Sequence, residues 1–171
     1  MKVNRKDITS LVFFLVVFGL FFQANIIGHK LFCFRDIGRY YYPARFFVVE
    51  SLQQGNFPFW NPYMFCGYPA FASLQQATLY PVSLLYCLFP FFQGFNWFFL
   101  AHFLIAGIGL YLLLCRLSLG RLASLCGSVC FTFSGYLVSM LNLLTTLSAV
   151  VWIPLLFLFF ERYLETRRFY W

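Results

Sequence analysis

The sequence predicts an all-α, polytopic transmembrane protein with about four spans and a large first external loop that carries interfacial helices. Three observations predict it: a surplus of apolar residues, long runs without charge, and basic residues gathered in short clusters beside those runs. The residues AVILMFWYC make up 62% of the 171 residues and charged residues 10%, with a mean hydropathy of +0.78. Soluble domains run near 45–50% apolar and about 25% charged, so a water-soluble fold could not hide this much apolar surface. The 26 Phe and 11 Tyr suit lipid-facing rings and headgroup-level phenols. A net charge of +7 could suggest nucleic acid, but that reading needs a basic face on a folded domain, and here Lys and Arg sit in short clusters beside apolar runs and read as topology signals.

The first run, residues 8–27, carries no charge and is long enough for a hydrocarbon core of about 30 Å. It follows Lys2, Arg5 and Lys6. It exceeds a signal-peptide core and no small-residue cleavage site follows, so a retained helix with a cytoplasmic N-terminus is expected. Three further uncharged spans are expected at residues 95–114, 122–140 and 143–160. Arg116 and Arg121 share one turn, and Arg162, Arg167 and Arg168 follow the last span, which places both clusters in the cytoplasm. Residues 28–94 then begin and end outside. Leu79 to Phe92 is apolar but short and bounded by Pro81 and Pro90, so it is expected to be interfacial or re-entrant rather than spanning.

Within the loop, Pro43 as a start and Gly55 as a stop bracket a short helix bearing Phe46, Phe47, Val49 and Leu52, expected to lie flat in the interface. Asn56 to Pro69, with Pro58, Pro62, Gly67 and Trp60, is expected to be an ordered irregular loop stacked on aromatics. Ser124, Ser128, Thr132, Gly135, Ser139 and Asn142 recur every three or four residues and should share one face of the third span. That face serves close helix packing or lines a polar cavity. The spans otherwise read as intact.

Carboxylates are few: Asp7, Asp36, Glu50, Glu161 and Glu165. Asp36 lies just beyond the outer end of the first span, with Lys30, Arg35 and Arg39 around it. Such a carboxylate can accept a proton or bind a metal while the cations hold a phosphate; it can equally be an external salt-bridge cluster. His29 could donate to a phosphate or orient Asp36, or simply sit at the interface. His102, within the second span, should face protein or a cavity. No phosphate-cradling glycine loop, zinc spacing or Ser/His/Asp arrangement is visible.

Asp36 followed by Tyr41, Tyr42 and Pro43, then Gly55, the run Phe57 to Tyr63, then Gly67, Tyr68 and Pro69, and Gln75 or Gln76 before Tyr80 and Pro81, form a larger pattern. It resembles the first external loop of the YfhO-type bacterial membrane proteins, a branch of the polyprenyl-phosphate-dependent (GT-C) glycosyltransferases. His102, Ala106, Gly107 and Tyr111, the stretch Phe133 to Leu137, and Trp152 with Pro154 extend the likeness along most of the chain.

The resemblance implies a helical enzyme of the bacterial cytoplasmic (inner) membrane that moves a sugar from a polyprenyl-phosphate carrier to an extracytoplasmic glycan, lipid or protein acceptor. Asp36 matches the catalytic position; Lys30, Arg35, Arg39 and His29 would bind substrate, and Asp36 could hold a divalent cation, Mg or Mn. Relatives of this kind have many more spans, so the sequence is expected to be an N-terminal fragment of a longer protein. The turn near Asn142 lacks the second acidic residue that many relatives carry, which leaves metal dependence open. The rival expectation is a non-catalytic assembly subunit or a fragment of a lipid-linked-glycan transporter, paired through the Ser124 to Asn142 face.

Overall fold

The computed structural model describes residues 5–28 and 30–166, without the side chains of residues 5–7 and 166. His29, Arg167 and Arg168 lie outside the described residues. Among those residues the protein is all-α: no strand forms, and one isolated bridge joins Asn61 to Tyr68. Helix α1 (Arg5–Phe21) is followed after Phe22 by α2 (Gln23–Ile26). A π turn (Ile37–Tyr41) leads into α3 (Tyr42–Gln53), and a 3₁₀ turn (Pro81–Leu84) into α4 (Leu85–Leu88). Then come α5 (Phe91–Arg116), α6 (Arg121–Thr132), α7 (Gly135–Ser139), α8 (Leu144–Val150) and α9 (Ile153–Thr166).

Three helical segments, Phe91–Arg116, Arg121–Asn142 and Leu144–Glu165, are long and apolar enough to cross a membrane, and Ile8–Phe21 is a shorter apolar helix. The chain is thus a membrane-embedded helical protein. Leu79 to Phe92 contains no such helix: α4 ends at Phe89 in extended backbone (φ −126°, ψ 158°). The second span starts at Phe91, four residues before its expected start at Phe95, because Pro90 sits just outside the helix, where its missing N–H costs nothing and its carbonyl accepts from the N–H of Gly94.

The third and fourth spans depart from the expected intact helices. Thr132 turns its hydroxyl onto the Ser128 carbonyl (2.8 Å), and Ser134 adopts extended backbone and caps α7 by accepting from the Leu137 N–H. A Ser-Gly pair is a common site of helix breaks. The stripe of small residues therefore ends at Thr132: Ser124, Ser128 and Thr132 are fully buried, whereas Gly135 and Ser139 are exposed. In the fourth span, Pro154 has no N–H and its ring would strike the Val150 carbonyl, so α8 stops at Val150 and α9 restarts at Ile153.

The chain divides into two compact units. Among the described residues, one comprises 5–23, 102–140 and 146–166. In it α1 packs on α6, Phe22 meets Phe103 (5.1 Å between centroids), and Phe18, Phe21 and Phe22 surround Phe133. Gly107 of α5 lets the helices close: its carbonyl accepts from Ser128 Oγ (2.7 Å), and a Cβ there would stand 2.1 Å from Phe14 and 2.6 Å from Thr132 Oγ1. Close packing, the plainer of the two readings of the small-residue face, is what this geometry supplies. His102 is fully buried. Arg116 pairs with Glu165.

The other unit comprises residues 24–101 and 141–145. Helix α3 begins and ends where Pro43 and Gly55 (φ +77°) predict. It buries Ala44, Arg45, Val48 and Val49 while Phe46 stays exposed, so the buried side is not the purely apolar one expected. Asn61 closes the irregular segment by exchanging backbone hydrogen bonds with Tyr68 (2.9 and 3.0 Å) and accepting from the Tyr63 N–H on its side chain (2.9 Å). Asn96 ties the segment around Lys30 and Phe32 to α5, donating to the Lys30 carbonyl (2.8 Å) and accepting from the Phe32 N–H (3.3 Å).

This unit gathers the two segments that charge patterning places on one side of the membrane, the long loop and the turn at Asn142. The sidedness itself can be measured. Single Cys probes at the exposed positions Gln53 and Ser118, on a Cys-free background, should react with an impermeant thiol reagent from outside only at Gln53. Outside labelling at Ser118 would invert the expected topology from α5 onward.

Candidate functional site

Asp36 is exposed and sits at the head of the π turn without a side-chain cap bond. The turn has a local cause. Pro43 cannot donate to the carbonyls behind it and its ring crowds the Arg39 carbonyl, so the preceding turn widens and the Tyr42 N–H reaches back to the Ile37 carbonyl. Ile37 and Tyr41 of that turn are buried and anchor it, and the Tyr41 hydroxyl lies 3.2 Å from Thr145 Oγ1. Gly38 admits the Cys33 sulfur, which a Cβ would meet at 2.6 Å. Cys33 and Cys66 are both free, exposed thiols.

Lys30, Arg35 and Arg39 are all exposed. Arg35 takes left-handed backbone (φ +44°), uncommon for a side chain of this size, and its guanidinium lies 5.4 Å from the Phe34 ring centre. Among the described residues Asp36 forms no ion pair with any of the three, so the salt-bridge cluster is not assembled there. Glu50 is exposed on α3. Nor do three His, Cys, Asp or Glu side chains converge anywhere among the described residues; a single carboxylate at Asp36 does not make a cation cage. Phe65 and Cys66, both left-handed (φ +53° and +58°), precede Gly67 (φ +101°), whose missing side chain admits the Trp60 indole. The Phe65 ring stands 6.0 Å from both Tyr40 and Tyr68, so an aromatic shelf adjoins the Asp36 turn.

Neither family models, curated proteins nor solved structures match this chain.

A second polar centre escaped the sequence reading. Arg45 is 1% exposed. It donates from Nη1 to the Tyr86 hydroxyl (2.6 Å) and from Nη2 to the Gln75 carbonyl (3.4 Å). Its guanidinium carbon lies 4.4 Å from the Phe98 ring centre, 5.9 Å from Tyr86 and 6.0 Å from Tyr41. Gln76, also buried, bonds the Tyr68 hydroxyl. The signal was an Arg placed one turn from Val48 and Val49 on a helix with a buried face, but that pattern equally describes a basic residue snorkelling to water.

Burial pushes the Tyr86 phenol up from 10.0 to about 12, partly offset by the Arg45 guanidinium. Burial likewise raises the Tyr68 phenol. For Tyr86 the folded state holds its proton more tightly than the unfolded chain. The associated stability is therefore complete below pH 10 and is lost as pH rises toward 12, by an amount on the order of 2–3 kcal/mol. Unfolding measured across that window should show a steep loss in the wild type and a shallower one in Tyr86→Phe. Equal slopes would mean that Tyr86 is not the buried phenol responsible.

Proposed function

We propose that this chain is part of a YfhO-like membrane glycosyltransferase that moves a sugar from a polyprenyl-phosphate carrier to an extracytoplasmic acceptor, with the N-terminus in the cytoplasm of a bacterial inner membrane. The observation that carries the reading is an exposed carboxylate, Asp36, at the head of the π turn with exposed Arg35 and Arg39 beside it in the chain. The sequence resemblance marks the same residue.

In this reading Asp36 takes the proton of the acceptor hydroxyl, whose oxygen forms the new bond to the sugar's anomeric carbon. The bond from that carbon to the carrier phosphate breaks, and the phosphate departs on its lipid with the electron pair. Lys30, Arg35 and Arg39 neutralise its charge, and His29 would donate to the same phosphate. The test is transfer of a radiolabelled sugar from a polyprenyl-phosphate donor by membranes containing the full-length protein. A labelled extracytoplasmic product supports the reading; donor left intact under conditions where a known transferase consumes it removes the reading.

A second reading, transport of a lipid-linked glycan without chemistry, is favoured by the breaks at Phe133–Ser134 and Val151–Trp152. Interrupted spans are a feature of transporters. Movement of the intact labelled lipid across sealed vesicles, with no new glycosidic product, would select it.

A further inference from the structure

The buried Arg45 guanidinium raises a question of charge. An arginine cannot shed its proton in a protein, and a buried cation is normally matched by a carboxylate or another anion. Among the described residues Arg45 has no acidic partner. Its aromatic neighbours lie against the charge without neutralising it, and its Nε has no hydrogen-bond partner.

Arg45 lines a cavity of about 50 Å³ between α3, the Gln76 to Thr78 turn and the 3₁₀ segment. Two other residues of the same wall carry a buried, unpartnered polar atom, Gln76 Oε1 and Thr78 Oγ1. The Gln76 amide can be turned over, letting Tyr68 donate to its oxygen and leaving its NH₂ as a free donor. Ser83, also on the wall, has its hydroxyl committed to the Ala77 carbonyl (2.8 Å). Of the remaining lining, Val48, Val49, Leu52, Ala77 and Leu84 are apolar, and Tyr86 and Cys87 complete the wall. A water needs roughly 10–15 Å³ on this measure, so the cavity has room for more than one water.

We propose that this cavity binds a small monovalent inorganic anion, of the size of chloride or dihydrogen phosphate, held by Arg45 Nε, the Thr78 hydroxyl and the Gln76 amide. One guanidinium calls for one negative charge, and three orphaned polar groups supply the hydrogen bonds. The cavity is too small for a sugar or an acyl chain. The site is separate from Asp36, and its failure would leave the transferase reading standing.

The test uses the full-length protein in phosphatidylcholine nanodiscs at constant ionic strength, pH 6, with gluconate replaced stepwise by chloride or by inorganic phosphate. The unfolding temperature should rise saturably with one of the small anions. Thr78→Val should raise the half-saturating concentration by about tenfold or more, since a hydrogen bond to a charged group is lost. Arg45→Met should abolish the dependence. If Arg45→Met does not fold, the Thr78→Val shift decides. Identical unfolding temperatures in gluconate, chloride and phosphate would mean that water alone fills the cavity and would overturn the proposal. Anion dependence that persists in Arg45→Met, or stabilisation seen only with added phosphatidic acid, would overturn it as well.

Discussion

Asp36→Asn is expected to lower sugar transfer by the intact protein by about 10²–10⁴-fold, the usual range for loss of a positioned general base. The amide keeps the size and shape of the side chain but cannot take the acceptor's proton. Asp36 is exposed and makes no side-chain cap bond. Membrane insertion and unfolding temperature should therefore stay at wild-type values, which separates lost chemistry from lost fold. Kinetics on donor and acceptor separately should show kcat falling while the donor KM changes little, because the proposed mechanism assigns the phosphate to the cations. Wild-type turnover by the Asn variant would remove Asp36 from the mechanism and with it the strongest residue-level link to the proposed activity.

Gly107→Val should be the most damaging single change to the helical packing. The new Cβ would overlap the Phe14 ring and Thr132 Oγ1 at once, and moving α5 away would also break the Ser128 to Gly107 hydrogen bond. Overpacking costs about 1–3 kcal/mol and the lost bond about 1 kcal/mol. Lipid offers no hydrophobic drive to restore the contact elsewhere. Reversible unfolding in mixed micelles should therefore register a loss of roughly 2–4 kcal/mol, against about 1 kcal/mol for Ser128→Ala. A Val variant as stable as the wild type would mean that α1, α5 and α6 do not meet at this glycine.

What could be read from the sequence divides along physical lines. Uncharged length is a sum over residues, so the runs that became α5 and the segments Arg121–Asn142 and Leu144–Glu165 were legible, as was the shortness of Leu79 to Phe92. Proline and glycine act locally, which is why the limits of α3 were legible from Pro43 and Gly55. Pro154 was equally visible, yet an apolar run through it was read as one helix, although the missing N–H and the ring clash act in lipid as well as in water. The Ser134 break was hidden because a hydroxyl can continue a helix or cap a new one, and spacing does not distinguish the two. Arg45 was missed because its burial depends on Tyr86 and Phe98, far along the chain, which composition and periodicity do not register.

The π turn after Asp36 amounts to one surplus residue stored between the carboxylate and Pro43. Each residue of a helix turns the chain by about 100°. Deleting one position among Ile37 to Tyr41 would let the turn tighten to an ordinary α register and would swing the Asp36 carboxylate about a quarter-circle around the helix axis, with α3 left in place. The same lever works in reverse: Tyr41 touches Thr145 at the far end of the turn, so a shift of the segment 141–145 that drew Tyr41 with it would re-aim Asp36. The direction in which the acid faces is thus set by a count of residues and by a contact more than a hundred positions away in the chain.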